Sequence, residues 1–99
     1  MKTKLSLLLI LATLLMASDG ATLFTKCAKC HGEDGKHSAF GKSAKIAGWK
    51  AKQTVAVLNI FKNMSKFDKF ARVMNRQVSK LSDKEIKAVA EYISKLPSK

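Results

Sequence analysis

A C-x-x-C-H motif at residues 27–31 constrains this chain more than any other feature of its sequence. Cys27 and Cys30 are separated by two residues, and His31 follows directly. This pattern is typical of covalent haem attachment, in which each thiol bonds to one haem vinyl group and the imidazole becomes an iron ligand. The motif therefore predicts one haem c, held by Cys27 and Cys30, with His31 as the proximal axial ligand of the iron.

Two other uses of a cysteine pair compete with haem. Cysteines at this spacing also form redox-active or structural disulfides in oxidising compartments, but thioredoxin-like chemistry needs a βαβ scaffold for which this sequence has no pattern. A structural zinc site would have only the two cysteines, His31 and His37 as soft ligands. His31 directly beside Cys30 does not suit the spaced tetrahedral set of such a site. The sequence therefore favours haem.

The N-terminal segment has the form of a secretory signal peptide. Two lysines precede an apolar stretch from Leu5 to Met16, and small residues follow at Ala17 and Ser18. An apolar run of about a dozen residues rises only about 18 Å as a helix, short of the roughly 30 Å hydrocarbon core of a membrane. We therefore predict a leader over residues 1–18, a mature domain over 19–99 and a periplasmic location without a stable membrane span. An uncleaved anchor is the alternative.

The size and the charge of the mature protein limit its possible folds and binding partners. About 80 residues form one domain whose core is too small to be stable without a staple such as a covalent cofactor. The chain carries 19 Lys and Arg against 7 Asp and Glu, a formal net charge of +12. Such a surface attracts acidic proteins, nucleic acid or anionic membranes. Because export removes the protein from chromosomal DNA, an acidic protein partner is favoured over nucleic acid.

The apolar periodicity predicts an all-α protein of three or four helices. Leu23, Phe24 and Cys27 fall at helical spacing, so a first helix is expected from near Asp19 into the haem motif. A second helix of about three turns follows from an apolar stripe at residues 51, 55, 58 and 61. Residues 63–78 show no steady period and are predicted to be irregular.

The last helix has the clearest sequence signal. Ser82 and Glu85 form a capping box, in which the side chain of each residue accepts a hydrogen bond from the backbone N–H of the other. An apolar stripe follows at Ile86, Val89, Ile93 and Leu96. No stretch of useful length alternates with the period of two that a strand would show.

These motifs together resemble the class I cytochromes c, and most closely the small bacterial cytochromes of the c553 type. The resemblance covers essentially everything after Asp19, including Gly20 and Phe24 in the first helix, the C-x-x-C-H-G motif, and the last helix from Leu81 to Tyr92. It implies helices wrapped around one covalent haem. It also implies a close crossing of the first and last helices, with Gly20 and Phe24 against Val89 and Tyr92.

The resemblance also implies the distal iron ligand. Met74 lies eight residues before Ser82, where this family places its distal methionine, and a thioether ligand raises the reduction potential. Met64 follows the stripe of the second helix and is the competing methionine. His37 is the other alternative, but it is only six residues beyond His31 and is expected to be an exposed loop residue.

The chain departs from the family in the loop after the haem motif. Many relatives have a proline there whose carbonyl accepts from the ligand histidine, and an acceptor of this kind fixes the imidazole ring. The only proline of this chain is Pro97, so a backbone carbonyl between Ser38 and Gly41 is expected to serve instead. Trp49 is expected either to donate its indole N–H to a haem propionate or to pack in the haem pocket.

The resemblance implies a function in electron transfer rather than catalysis. The expected protein is a monomeric, periplasmic monohaem carrier of single electrons between partners of a respiratory chain. Acidic redox proteins are the expected partners: a terminal oxidase, a donor of the cytochrome bc1 type or a periplasmic peroxidase. From their place in the sequence, Lys29 beside the cysteines and Lys42 or Lys45 in the following loop are expected near the exposed haem edge. A haem enzyme such as a peroxidase is the alternative, but it would need an open iron position, which Met74 would fill.

Overall fold

The computed structural model describes residues 20–66 and 68–99, and throughout this part the chain is helical or irregular, without strands. Helix α1 covers residues 20–31, and α2, α3 and α4 cover Ala51–Asn63, Lys69–Val78 and Asp83–Ser94. A single 3₁₀ turn, Ala39–Gly41, interrupts the loop between α1 and α2. The all-α prediction is thereby confirmed. The predicted leader, residues 1–18, lies outside the described residues.

Helices α1 and α4 cross closely, as the family resemblance implied. A Cβ atom built on Gly20 would lie 2.6 Å from the carbonyl oxygen of Ala88 and 3.0 Å from the Cβ of Tyr92. One helical turn further on, the rings of Phe24 and Tyr92 pack with their centroids 5.2 Å apart. Only glycine allows the two backbones to approach this far, so the crossing depends on Gly20.

The predicted capping box of α4 is present. Ser82 Oγ accepts from the backbone N–H of Glu85 at 3.1 Å, and Glu85 Oε1 accepts from the backbone N–H of Ser82 at 2.9 Å. Hydrogen bonds from the backbone and side chain of Ser82 lower the pKa of the Glu85 carboxyl. Ile86, Val89 and Ile93 of the predicted stripe are fully buried, so α4 forms the centre of the core.

The prediction that residues 63–78 are irregular is wrong, because Lys69–Val78 form helix α3. Asp68 caps this helix, since its carboxylate accepts from the backbone N–H groups of Phe70 and Ala71 at 3.0 and 2.8 Å. The apolar side of α3, with Phe70, Val73, Met74 and Val78 at helical spacing, was a signal that the prediction overlooked. α3 packs on α2, where Asn75 Nδ2 donates to the carbonyl of Phe61 at 2.8 Å. A helix of ten residues depends on such packing, because helices this short are marginal alone.

The loop between α1 and α2 is tied back to both ends of the fold. Gly32 has a φ of +83° and donates its N–H to the carbonyl of Ala28 at 2.8 Å, which ends α1 directly after the haem motif. Near the end of the loop, the N–H of Gly48 donates to the carbonyl of Ile93 in α4 at 3.1 Å.

Within the described residues, no helix is long and apolar enough to cross a membrane.

Candidate haem site

A cavity of about 430 Å³ lies between the helices, within the roughly 300–1,000 Å³ range of cofactor sites. Every helix and the loop before α2 contribute to its wall. Most of the wall is apolar, from the side chains of Leu23, Ala44, Ile46, Trp49, Val57, Leu58, Phe61, Leu81, Val89 and Ile93. A partly open, mostly apolar space of this size suits a flat hydrophobic cofactor.

The haem motif enters the cavity from the last turns of α1. Cys27 and His31 both line the cavity, four residues apart and therefore on one face of the helix. Cys30 is half-buried on the same helix, next to His31. Both cysteines are free thiols, and burial raises the pKa of Cys27. Burial thus favours the protonated form of Cys27, and because neither cysteine is in a disulfide, both thiols are available for addition to vinyl groups.

His31 has the protonation state that a metal ligand needs. The residue is only 7% exposed, and burial, with a further contribution from the charge of His37, lowers the pKa of its imidazole. A neutral imidazole can offer a ring nitrogen to iron. Among the described residues, no three His, Cys, Asp or Glu side chains gather into a metal-binding cluster, which is what the zinc alternative would require.

The ring nitrogen Nδ1 of His31 is buried and has no hydrogen-bond partner in the described part of the chain. We expected an acceptor among the carbonyls between Ser38 and Gly41, and no such bond is present. The 3₁₀ turn uses these carbonyls itself, because those of Ser38 and Ala39 accept from Gly41 and Lys42 at 2.9 and 3.0 Å.

The structure separates the competing candidates for the distal ligand. Met74 lines the cavity from α3, on a different helix from His31. Met64 is the residue that ends α2 and does not line the cavity. His37 is exposed in the loop, in agreement with the expectation, and it does not line the cavity either. The cavity thus brings together His31 and Met74 from opposite parts of the chain.

Trp49 and Thr54 are two residues of the cavity wall whose side chains carry a polar group. Trp49 lies just before α2 and is half-buried, so both of its expected roles stay open. Thr54 is 4% exposed, and its hydroxyl has no hydrogen-bond partner within the described chain. Thr54 was not predicted from the sequence as a residue of the site, although its place four residues before Leu58, on the side of α2 that faces the core, was a usable signal.

The rim of the cavity is basic. Its exposed cationic residues are Lys26, Arg76 and Lys80, and none of the described residues that line the cavity is acidic. The structure places none of the three lysines expected at the haem edge, Lys29, Lys42 and Lys45, in this wall. Lys29 is two residues beyond Cys27, so its side chain points about 160° away from that of Cys27 around the helix. Lys42 instead lies over the ring of Phe70, 5.3 Å from its centroid.

Comparison with known proteins agrees with this geometry. The family model for cytochrome c matches residues 17–97. A cytochrome c-553 from Nitratidesulfovibrio vulgaris is 40% identical over 81 residues, covering 82% of this chain and 79% of the relative. A cytochrome c-553 from Helicobacter pylori strain J99 is 39% identical over 88 residues, 89% of this chain and 88% of the relative. A third, from Desulfomicrobium norvegicum, is 33% identical over 75 residues, 75% of this chain and 91% of the relative.

Proposed function

The chain belongs to the cytochrome c family, and we propose that it carries single electrons in the periplasm between acidic partners of a respiratory chain. It is a small class I cytochrome of the c553-like type, an electron-transfer protein that binds covalent haem c. When bound, the haem iron supplies the one-electron couple, and the protein supplies ligation, burial and docking.

Four residues hold the haem in this proposal. The thiols of Cys27 and Cys30 would hold it covalently, each by addition of its S–H across one vinyl group, with sulfur bonded to one carbon, hydrogen to the other and no leaving group. His31 would provide a nitrogen ligand to the iron and Met74 a sulfur ligand. The observation that carries the proposal is that His31 from α1 and Met74 from α3 line one apolar cavity. Two ligands from the protein would leave no open position on the iron, which would favour electron transfer over binding of small molecules.

The surface supports a charged docking site. Lys26, Arg76 and Lys80 line the cavity and are exposed, so they form its basic rim. A rim of one sign attracts acidic surfaces at long range, accelerates encounter and allows rapid release. We propose that this rim, rather than the expected set of Lys29, Lys42 and Lys45, contacts a terminal oxidase, a cytochrome bc1-type donor or a periplasmic peroxidase.

The first experiment tests export and covalent attachment together. The full chain is expressed in a host with haem-attachment machinery, and the periplasmic fraction is examined by a reduced-minus-oxidised visible spectrum. We expect one haem that acid-acetone extraction does not remove. The Cys27→Ser, Cys30→Ser double variant should lose this haem, whereas a Met64→Ala control should keep it. Extraction of all haem from the unmodified protein would refute attachment, and haem protein found only in the cytoplasm would refute export.

A further inference from the structure

Phe40 has a backbone conformation that bulky residues rarely adopt. Its φ and ψ are +56° and +21°, in the left-handed region, and the next residue, Gly41, also has a positive φ of +66°. This conformation costs free energy for a residue with a Cβ atom, whereas glycine adopts it readily. Because strained residues persist only where the surrounding structure holds them, the aromatic side chain at position 40 calls for an explanation from its contacts.

Hydrogen bonds around Phe40 fix the turn that contains it. The carbonyl of Ala39 accepts from the N–H groups of Lys42 and Ser43 at 3.0 and 3.2 Å. In return, Ser43 Oγ accepts from the backbone N–H of Ala39 at 2.8 Å. Ala39 is buried, but Phe40 is 58% exposed. The turn therefore directs the Phe40 side chain to the surface of the protein, and burial in the core is not what holds the ring there.

The ring of Phe40 packs on Phe70, a half-buried residue in the first turn of α3. The two ring centroids are 5.4 Å apart, with an angle of 48° between the planes, a separation typical of favourable aromatic pairs. The ammonium group of Lys42 lies 5.3 Å from the centroid of the same Phe70 ring. We call Phe40, Lys42 and Phe70 the aromatic clasp. It joins the loop after the haem motif to the beginning of α3.

The aromatic clasp lies one helical turn before Met74. Residues four apart share a face of a helix, so Phe70 and Met74 are neighbours on α3. Side chains on a helix lean toward its N-terminus, which directs Met74 toward the turn that contains Phe70. Directly after Met74, Asn75 Nδ2 donates to the carbonyl of Phe61 in α2 at 2.8 Å. Contacts with the rest of the protein therefore restrain α3 on both sides of Met74.

We propose that Phe40 is a positioning residue that keeps Met74 in place as an iron ligand, through its contact with Phe70. The inference rests on the proposed ligation of the haem iron by His31 and Met74. Loss of the ring contact frees the first turn of α3 from the loop and raises the fraction of molecules in which Met74 is off the iron. The backbone strain at Phe40 is thus retained for the sake of a contact that only a large side chain makes.

The first test is a cyanide titration of the oxidised holoprotein, because cyanide binds the iron only where Met74 has left it. Phe40→Gly removes the ring and relieves the strain, whereas Phe40→Tyr keeps the ring. Ile60→Ala is the matched control, since Ile60 is 60% exposed and does not line the cavity. We expect cyanide to bind Phe40→Gly about two- to tenfold more tightly, the equivalent of one aromatic pair. Phe40→Tyr and Ile60→Ala should equal the unmodified protein.

A variant on the other side of the contact distinguishes the ring pair from a general loosening of the loop. Phe70→Leu removes the second ring without changing the loop, and it should raise cyanide affinity as Phe40→Gly does. The double variant should bind cyanide no more tightly than either single variant, because both changes remove the same contact. Additive effects would show that the two rings act separately, and the aromatic clasp would be refuted.

Thermal melting separates positioning of the ligand from overall stability. The far-red absorption band reports Met–iron ligation, and far-ultraviolet circular dichroism reports the helices. In Phe40→Gly the far-red band should disappear at a lower temperature than in the unmodified protein. The temperature of helix unfolding should change less, because the relieved strain offsets the lost contact. Equal lowering of both temperatures would mean that Phe40 has only a structural role.

The remaining outcomes separate this inference from the proposed function. Unchanged cyanide affinity in both Phe40→Gly and Phe70→Leu would refute the aromatic clasp and leave Met74 as a ligand. Unchanged Met–iron ligation in Phe40→Gly, together with slower electron transfer to an acidic partner, would assign the exposed Phe40 ring to docking instead. Absence of the far-red band from the unmodified holoprotein would refute ligation by methionine itself, and the role of Phe40 with it.

Discussion

At the scale of single residues, the two methionines of the described chain differ in whether they reach the cavity. Met74 lines the cavity and Met64 does not. We therefore expect Met74→Ala to abolish the far-red absorption of Met–iron ligation and to lower the reduction potential, because a soft sulfur ligand favours reduced iron. The vacated position should also bind carbon monoxide or cyanide, which titrations followed by visible absorption would measure.

Met64→Ala provides the matched control for this experiment. It removes an equal side chain from the end of α2 without changing the cavity wall. Its far-red band and its resistance to cyanide should equal those of the unmodified protein. If Met64→Ala alone lost the band, Met64 would be the ligand and the assignment of Met74 would be wrong.

At the scale of helices, the crossing of α1 and α4 depends on the absence of a side chain at Gly20. An added Cβ would lie 2.6 Å from the Ala88 carbonyl oxygen, closer than non-bonded contact permits. Overpacking by one methyl group costs about 1–3 kcal/mol, and the higher helix propensity of alanine offsets up to about 1 kcal/mol of this. We expect Gly20→Ala to lower the free energy of unfolding by about 1–2 kcal/mol, measured by denaturant titration of the holoprotein.

Thr22→Ala tests whether any change in α1 has this effect. Thr22 is exposed on the same helix, and alanine favours the helical state. Its free energy of unfolding should stay equal to that of the unmodified protein or rise slightly. Equal stability of Gly20→Ala and the unmodified protein would show that the crossing tolerates a wider separation.

At the scale of the whole molecule, both the net charge and the positions of the charged residues are expected to affect the rate of electron transfer. The chain has a formal charge of +12, and the cavity rim is basic. Attraction between exposed charges is screened beyond about 8 Å at physiological salt. We expect the second-order rate of oxidation by an acidic redox partner, measured by stopped flow, to fall roughly tenfold between low and moderate salt. A flat or rising rate, corrected for driving force, would refute electrostatic docking.

Charge-reversal variants at two places on the surface distinguish a local docking site from a general effect of net charge on the rate. Lys26→Glu with Lys80→Glu reverses two charges at the cavity rim. Lys52→Glu with Lys87→Glu makes the same change in net charge in a groove between α2 and α4 that shares no wall residue with the cavity. The rim variant should be several-fold slower than the groove variant at low salt. Equal rates would mean that net charge alone attracts the partner.

The amino-acid sequence by itself determined the features that depend on neighbours along the chain. The spacing of Cys27, Cys30 and His31 predicted the cofactor, and the family model and its relatives support that prediction. The capping box at Ser82 and the stripe behind it predicted α4 almost to its ends. These signals are local, because capping bonds and helical faces involve residues only three or four positions apart.

Tertiary structure decided the features that depend on contacts between distant segments. Helix α3 has apolar residues at helical spacing, at Phe70, Val73, Met74 and Val78, so the sequence contained a signal that the prediction overlooked. Its ten residues are too few for a helix that is stable alone, and packing on α2 supplies the missing stability. That packing brings Met74 into the same cavity as His31. It also places Arg76 and Lys80 beside Lys26 at the rim, and Thr54 in the wall, because a cavity between helices is defined only when all of them are in place.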